Sequence, residues 1–216
     1  MNLDMDKVLN FSSPIFLEQK NEWLEQLNFY SDPYIEFAKN QNAIKFNENK
    51  KDFGMTHHSK SLCDDVHFEE FKNYIKNKSC DILNDMGYDL SSYNLYFTEL
   101  WVQEFGKEGG GHHEGHIHYD NHISGFYFLK CSEKTSYPIF HDPRIAKVMS
   151  QLPLKNENEI TPASDKIHLK PVPGTLVFFP AYLEHQFVVD YGIEPFRFIH
   201  FNLQAIRKII INSINK

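Results

Sequence analysis

The chain is short of the features that mark secreted, membrane-bound or nucleic-acid-binding proteins. It has three cysteines, Cys63, Cys80 and Cys131. Their odd number and irregular spacing argue against a disulfide framework or a zinc motif, and suit small buried thiols in a reducing compartment. No stretch approaches the ~20 apolar residues of a membrane span. The opening Met1-Asn2-Leu3-Asp4-Met5-Asp6 lacks the basic and apolar regions of a signal peptide, so the expected location is cytoplasmic. Positive charge is also scarce. A net charge of −7 opposes attraction to phosphate backbones, and there is no basic amphipathic segment, so neither nucleic acid nor a membrane surface is expected as a partner.

What is present suits one folded domain. The 216 residues suffice for a single well-buried core. An aromatic share of 15% beside a charged share of 24% argues against extended disorder. Residues 1–91 read as a helical N-terminal extension. Pro33 splits the apolar pattern of 14–40 into two expected short helices, 41–63 is polar and irregular, and Phe68, Phe71, Ile75 and Ile82 mark a helix between Asp64 or Asp65 and Gly87.

Residues 92–216 read as the β core. Segments 93–105, 123–131, 175–179, 186–190 and 196–203 are rich in β-branched and aromatic residues, and several are bounded by Gly or Pro. The polar segment 142–165, with Pro143, Pro153 and Pro162, is too long for a hairpin and is expected to be a lid or insertion carrying one short helix. The tail 204–216 suits a final strand or helix.

The richest stretch for chemistry is Gly115-His116-Ile117-His118-Tyr119-Asp120-Asn121-His122, answered later by His185 and Arg197. In an extended strand the side chains at i and i+2 share a face, so His116, His118 and Asp120 can converge. With His185 from a later strand they would hold a metal through two imidazoles and a third ligand, leaving positions open for substrates, as non-haem Fe(II) oxygenases require. The residues alone leave two sets open: His118, Asp120 and His185, or His116, His118 and His185.

The order Leu100-Trp101-Val102-Gln103, a glycine-rich turn, His116-Ile117-His118, Ile123 to Leu129, Phe140-His141-Asp142-Pro143-Arg144, Pro173 to Pro180, His185 and Arg197 to Asn202 resembles the 2-oxoglutarate- and Fe(II)-dependent oxygenases of bacteria and phages. The resemblance covers residues 94–204 and implies a mainly β fold. This is the double-stranded β-helix, a cupin-like jelly roll, with the N-terminal helices flanking it. It implies Fe(II), 2-oxoglutarate and O2 as cofactors, with no catalytic residues beyond the metal ligands. The second substrate, oxidised and usually hydroxylated as 2-oxoglutarate is decarboxylated, would be a peptide side chain or a small metabolite.

Within that resemblance, H-x-H followed by five residues and Ser124-Gly125 makes His116 the first ligand. His118 then stands where the carboxylate usually does, as in the aspartyl/asparaginyl hydroxylases, and Asp120 becomes an acceptor that orients an imidazole. Arg197 stands where family members hold the far carboxylate of 2-oxoglutarate with a guanidinium fork. Ser124, Tyr127 and Asn202 stand at pocket-lining positions. Trp101 is expected in the core, His112, His113 and His122 at the rim or supporting the ligands from behind, and His141 to Arg144 in loop structure or substrate contact. The other reading is a cupin-like metal-binding jelly roll without 2-oxoglutarate chemistry, either a dioxygenase acting directly on its substrate or a binding module. Arg197 is the residue that separates the two.

Overall fold

The computed structural model describes residues 11–46, 52–144 and 152–208. Along the chain lie β1 (Phe16–Gln19), α1 (Leu24–Phe46), β2 (Thr56–His58), α2 (Glu69–Asp85), β3 (Tyr93–Phe105), β4 (His113–His116) and β5 (Ile123–Lys130). They are followed by β6 (Pro138–His141), β7 (Lys166–His168), β8 (Thr175–Pro180), β9 (His185–Phe187) and β10 (Arg197–Arg207). The strands form a six-stranded sheet in the order β1-β8-β5-β10-β3-β2 and a four-stranded sheet in the order β4-β9-β6-β7, with antiparallel pairing throughout. This is the jelly-roll arrangement expected from the sequence.

The large sheet is apolar on both faces, and alternation along each strand sorts its residues into two cores. Ile123, Tyr127, Leu129, Leu176, Phe178, Ile199, Phe201 and Leu203 face the helices, where they meet Trp23, Ile35, Phe71 and Ile75. Phe126, Phe128, Val177, Phe179 and Phe198 face inward and meet Phe140 and Phe187 of the small sheet. Gly125 marks where a neighbour comes close. A Cβ there would lie 2.2 Å from the Phe201 ring and 2.3 Å from the Val177 carbonyl oxygen.

The N-terminal part departs from the helical expectation in two places. It supplies two edge strands, β1 on β8 and β2 on β3, so it is built into the large sheet. Pro33 lies inside a single helix, α1, and does not divide it. Contacts on both sides of Pro33 hold the helix together: Asp32 bonds Arg197, Tyr34 bonds Asp65, and Ile35 is buried. α2 follows the expected pattern. Asp65 accepts from the His67 amide ahead of it, Phe71, Ile75, Ile82 and Leu83 are buried, and Gly87 follows it at φ 93°.

The expected helix in 142–165 falls partly on 145–151, outside the described residues, and 152–165 contains turns without a helix. β10 carries the expected final strand to Arg207, and residues 209–216 of the tail also lie outside the described part.

Candidate metal centre

Between the sheets, β4, the turn after it and β9 bring His116, His118 and His185 together. The ligand nitrogens of these three lie within 4.8 Å of one another. His116 pairs across strands with His185, their rings 4.5 Å apart. His118 follows the end of β4, with its amide bonded to the Ala181 carbonyl and its Nε2 3.3 Å from His185 Nε2. His185 is caged by Phe126, Phe140 and Phe179.

Asp120 does not join them. The strand ends at His116, and Asp120 occupies an exposed turn at φ 60°, so the i, i+2 alternation that would have aimed its carboxylate inward is broken two residues earlier.

Hydrogen-bond partners assign the imidazole protons. His116 Nδ1–H donates to the Glu114 carbonyl at 2.7 Å and His185 Nδ1–H to the Leu183 carbonyl at 3.0 Å, leaving both Nε2 lone pairs free. His118 differs. Asn202 Nδ2 donates to Glu99 Oε2 at 2.8 Å, because an ionised carboxylate only accepts, and the same Nδ2 lies 2.9 Å from His118 Nδ1. His118 Nδ1 is therefore an acceptor, and its proton sits on Nε2, pointing at the His185 lone pair. Ser124 Oγ–H donates to Asn202 Oδ1 and completes the network.

Burial keeps the His185 and His118 rings neutral. It holds His185 down to about 2, and it holds His118 down to about 3 with the neighbouring His200 and His116 adding to the effect. Glu99 is held at about 2, first by His200 and also by Trp101. Three imidazoles whose Nε2 atoms converge, two of them with the ring proton on Nδ1, are a donor set that fits a divalent first-row metal such as Fe(II) and leaves coordination positions open.

Of the residues expected to bind the co-substrate, two are at the centre and two are not. Ser124 and Asn202 point inward and touch the histidines through the network above. Tyr127 points to the helices, where its hydroxyl donates to the Lys20 carbonyl at 2.6 Å and its ring packs on Phe71 and Trp23.

Arg197 also faces the helices. It is 2% exposed, with Nε 2.7 Å from Glu104 Oε2 and Nη1 2.5 Å from Asp32 Oδ1 of α1. Phe198, His200 and Asn202 take the inward positions of β10, so alternation puts Arg197 on the opposite face of the sheet from the histidines. The inward side chains of β3, β5 and β10 include no Lys or Arg. They are Glu99, Trp101, Gln103 and Phe105; Ser124, Phe126 and Phe128; and Phe198, His200 and Asn202.

Sequence reasoning missed His200, Glu99 and Gln103. His200 is fully buried, with its ring 4.7 Å from that of His118. Trp101, expected in the core, is half-buried and packs on His200 and His58. His113, expected at the rim, is bonded to Gln103 and held at about 4, mainly by burial. The signal for Glu99 and Gln103 was their period-two alternation with Trp101 along β3, whereas β10, buried on both faces, offered none for His200. His112 bonds the Gly110 carbonyl and His122 accepts from the Ala205 amide, both away from the cluster. Asp142 grips Arg144 with two bonds of 2.9 and 2.7 Å, so this motif shapes its own loop, beside a cavity of about 290 Å³ on the outer side of Phe140.

A jelly roll with histidines gathered from two neighbouring strands and the turn between the sheets is a scaffold suited to holding a metal ion. Residues 99–198, which include all three histidines, match the family model described as "Putative 2OG-Fe(II) oxygenase". Over residues 99–198, just under half of its length, the chain is similar to the 2OG-Fe(II) oxygenases, enzymes that depend on Fe(II), 2-oxoglutarate and O2.

Two solved structures, with TM-scores above 0.5, agree in fold. The α-ketoglutarate-dependent epimerase SnoN of nogalamycin biosynthesis is 11% identical, with 91% of this chain and 82% of that one covered at a TM-score of 0.53. A prolyl-4-hydroxylase from Pseudomonas putida is 8% identical over 91% of this chain and 94% of its own, at 0.52. An oxidoreductase of the 2OG-Fe(II) oxygenase family from Burkholderia pseudomallei is 11% identical over 65% of this chain and 59% of its own, at 0.46. No curated protein matches the chain. Among the described residues, no helix is long and apolar enough to cross a membrane.

Proposed function

We propose that the chain hydroxylates a peptide side chain or small metabolite, with Fe(II) held by His116, His118 and His185. The observation that carries this reading is the convergence of three imidazoles, with His118 Nε2 and His185 Nε2 only 3.3 Å apart. Iron with chelated 2-oxoglutarate supplies the oxidation of a C–H bond by O2.

The chain's own residues do the rest. His116 and His185 are oriented by backbone carbonyls. His118 joins them once its ring proton moves from Nε2 to Nδ1, with Asn202 turned to accept it. The aromatic cage of Phe126, Phe140 and Phe179 keeps water from the His185 side. For the far carboxylate of 2-oxoglutarate, the neutral pair Gln103–His113 takes the role expected of Arg197. The ring of His113 lies 6.1 Å from that of His116. Gln103 contributes its amide N–H, and His113 stays an uncharged partner.

The peptide and small-molecule alternatives both have precedent in the fold, in a prolyl-4-hydroxylase and in SnoN bound to nogalamycin RO. The test is anaerobic addition of 2-oxoglutarate to the iron-loaded protein, read as the weak visible charge-transfer band of a chelated keto acid. It is followed by incubation with a cell extract, scored for mass gains of one oxygen atom. Iron binding without the band would select the second reading, a three-histidine jelly-roll dioxygenase without 2-oxoglutarate. That reading is favoured by the placement of Arg197 away from the interior.

A further inference from the structure

The three-histidine cluster leaves His200 and Glu99 without a task. His200 is completely buried, and neither of its ring nitrogens has a hydrogen-bond partner. Such an orphaned polar group costs stability that an apolar residue in its place would keep. Its Nε2 stands 3.4 Å from Glu99 Oε2, an electrostatic contact without hydrogen-bond alignment. The Glu99 side chain is 48% exposed and opens this corner to solvent. The ligand atoms of Glu99, His118 and His200 lie within 4.8 Å of one another. As bonded to Asn202, His118 directs its lone pair to this side, away from His116 and His185.

We propose that Glu99, His118 and His200 form a second seat for a divalent cation, of two-histidine, one-carboxylate composition, which competes with the three-histidine seat for His118. A neutral imidazole has one lone pair, so His118 serves one seat at a time. With its proton on Nε2 it serves Glu99 and His200; with its proton on Nδ1 it serves His116 and His185. An ion in the second seat takes over the acceptors that Asn202 Nδ2 now occupies on Glu99 and His118. A half-turn of the Asn202 amide presents Oδ1 to an Nδ1–H and returns His118 to the first seat. The mixed set has the composition usual for non-haem Fe(II) sites, and Asn202 is the element that selects between the seats.

The inference rests on the metal reading of the histidine cluster and not on 2-oxoglutarate, so it is tested with Co(II) alone. Equilibrium dialysis and the visible d–d absorption of bound Co(II) are measured on the full chain, on His116→Ala, on Glu99→Gln and on the double variant. The two substituted side chains are at least partly exposed, and circular dichroism checks each fold. The wild type and both single variants are expected to bind one Co(II) per chain. The spectra of the single variants should differ, because only His116→Ala keeps a carboxylate ligand. The double variant should bind roughly tenfold or more weakly than either single variant. The proposal is overturned if His116→Ala loses Co(II) as completely as the double variant, or if the double variant holds it as tightly as His116→Ala.

Discussion

Arg197 and Glu104 form a buried ion pair at 2.7 Å on the helix-facing side of the large sheet, 2% and 9% exposed in their side chains. Asp32 extends the pair to α1, and Lys39 of the same helix reaches Glu104 at 2.9 Å. The arginine expected to hold a co-substrate therefore ties a helix to the sheet. Arg197→Met should cost about 3 kcal/mol in urea unfolding, the low end for breaking a buried pair, because Lys39 still partners Glu104. Arg197→Met/Glu104→Met should recover much of that loss. 2-Oxoglutarate binding by the folded fraction should stay within about twofold, since no ligand contact is removed. A folded Arg197→Met that has lost the co-substrate would return the arginine to its expected role.

Gly125→Ala tests the close approach of β5 to its neighbours. The new methyl group meets the Phe201 ring, which can turn, and the Val177 carbonyl oxygen, which is fixed in the β8 backbone. Overpacking of this kind costs about 1–3 kcal/mol, and the rigid partner puts the loss towards the upper end. Thermal unfolding of the apo-protein measures it, and an unchanged midpoint would show that the strands separate freely here.

Much of this could be read from residue order because H-x-H and a distant histidine carry their own geometry, and because the central strands β3, β5 and β10 run to 13, 8 and 11 residues. The phase of β10 could not. Arg197-Phe198-Ile199-His200-Phe201-Asn202-Leu203 is buried on both faces, so apolar alternation gives no sign of which residues point inward. A shift of one residue exchanges the faces and carries Arg197 from the interior to the helices. The register of β10 against β5 slips between Arg197 and Phe198, where the phase mattered. β1 and β2 have four and three residues, too few for period-two alternation to stand out. Asp120 was misplaced for the opposite reason: alternation was extended past the end of its strand.

Asp120→Gly distinguishes a turn residue from a ligand. At φ 60° a glycine relieves the Cβ penalty, worth up to about 1 kcal/mol, so the variant should be as stable as the parent or more so. Its iron content after anaerobic loading should equal that of the parent. An iron-free Asp120→Gly protein would restore the set of His118, Asp120 and His185.

Gln103→Leu bears on how an acidic co-substrate is held in an interior without lysine or arginine on β3, β5 and β10. Gln103 is 1% exposed and its amide meets His113 Nε2 at 2.8 Å, so the pair is positioned by packing before any ligand arrives. A hydrogen bond from a neutral amide to a carboxylate is worth about 1.5–3 kcal/mol. Replacing the amide with an apolar side chain of similar size should therefore weaken 2-oxoglutarate binding by roughly 10–100-fold. Iron affinity should change little, because His116, His118 and His185 keep their partners. Titration of the charge-transfer band against 2-oxoglutarate, with iron content measured in parallel, separates the two effects. Unchanged 2-oxoglutarate affinity in an iron-loaded Gln103→Leu protein would remove this pair from co-substrate binding.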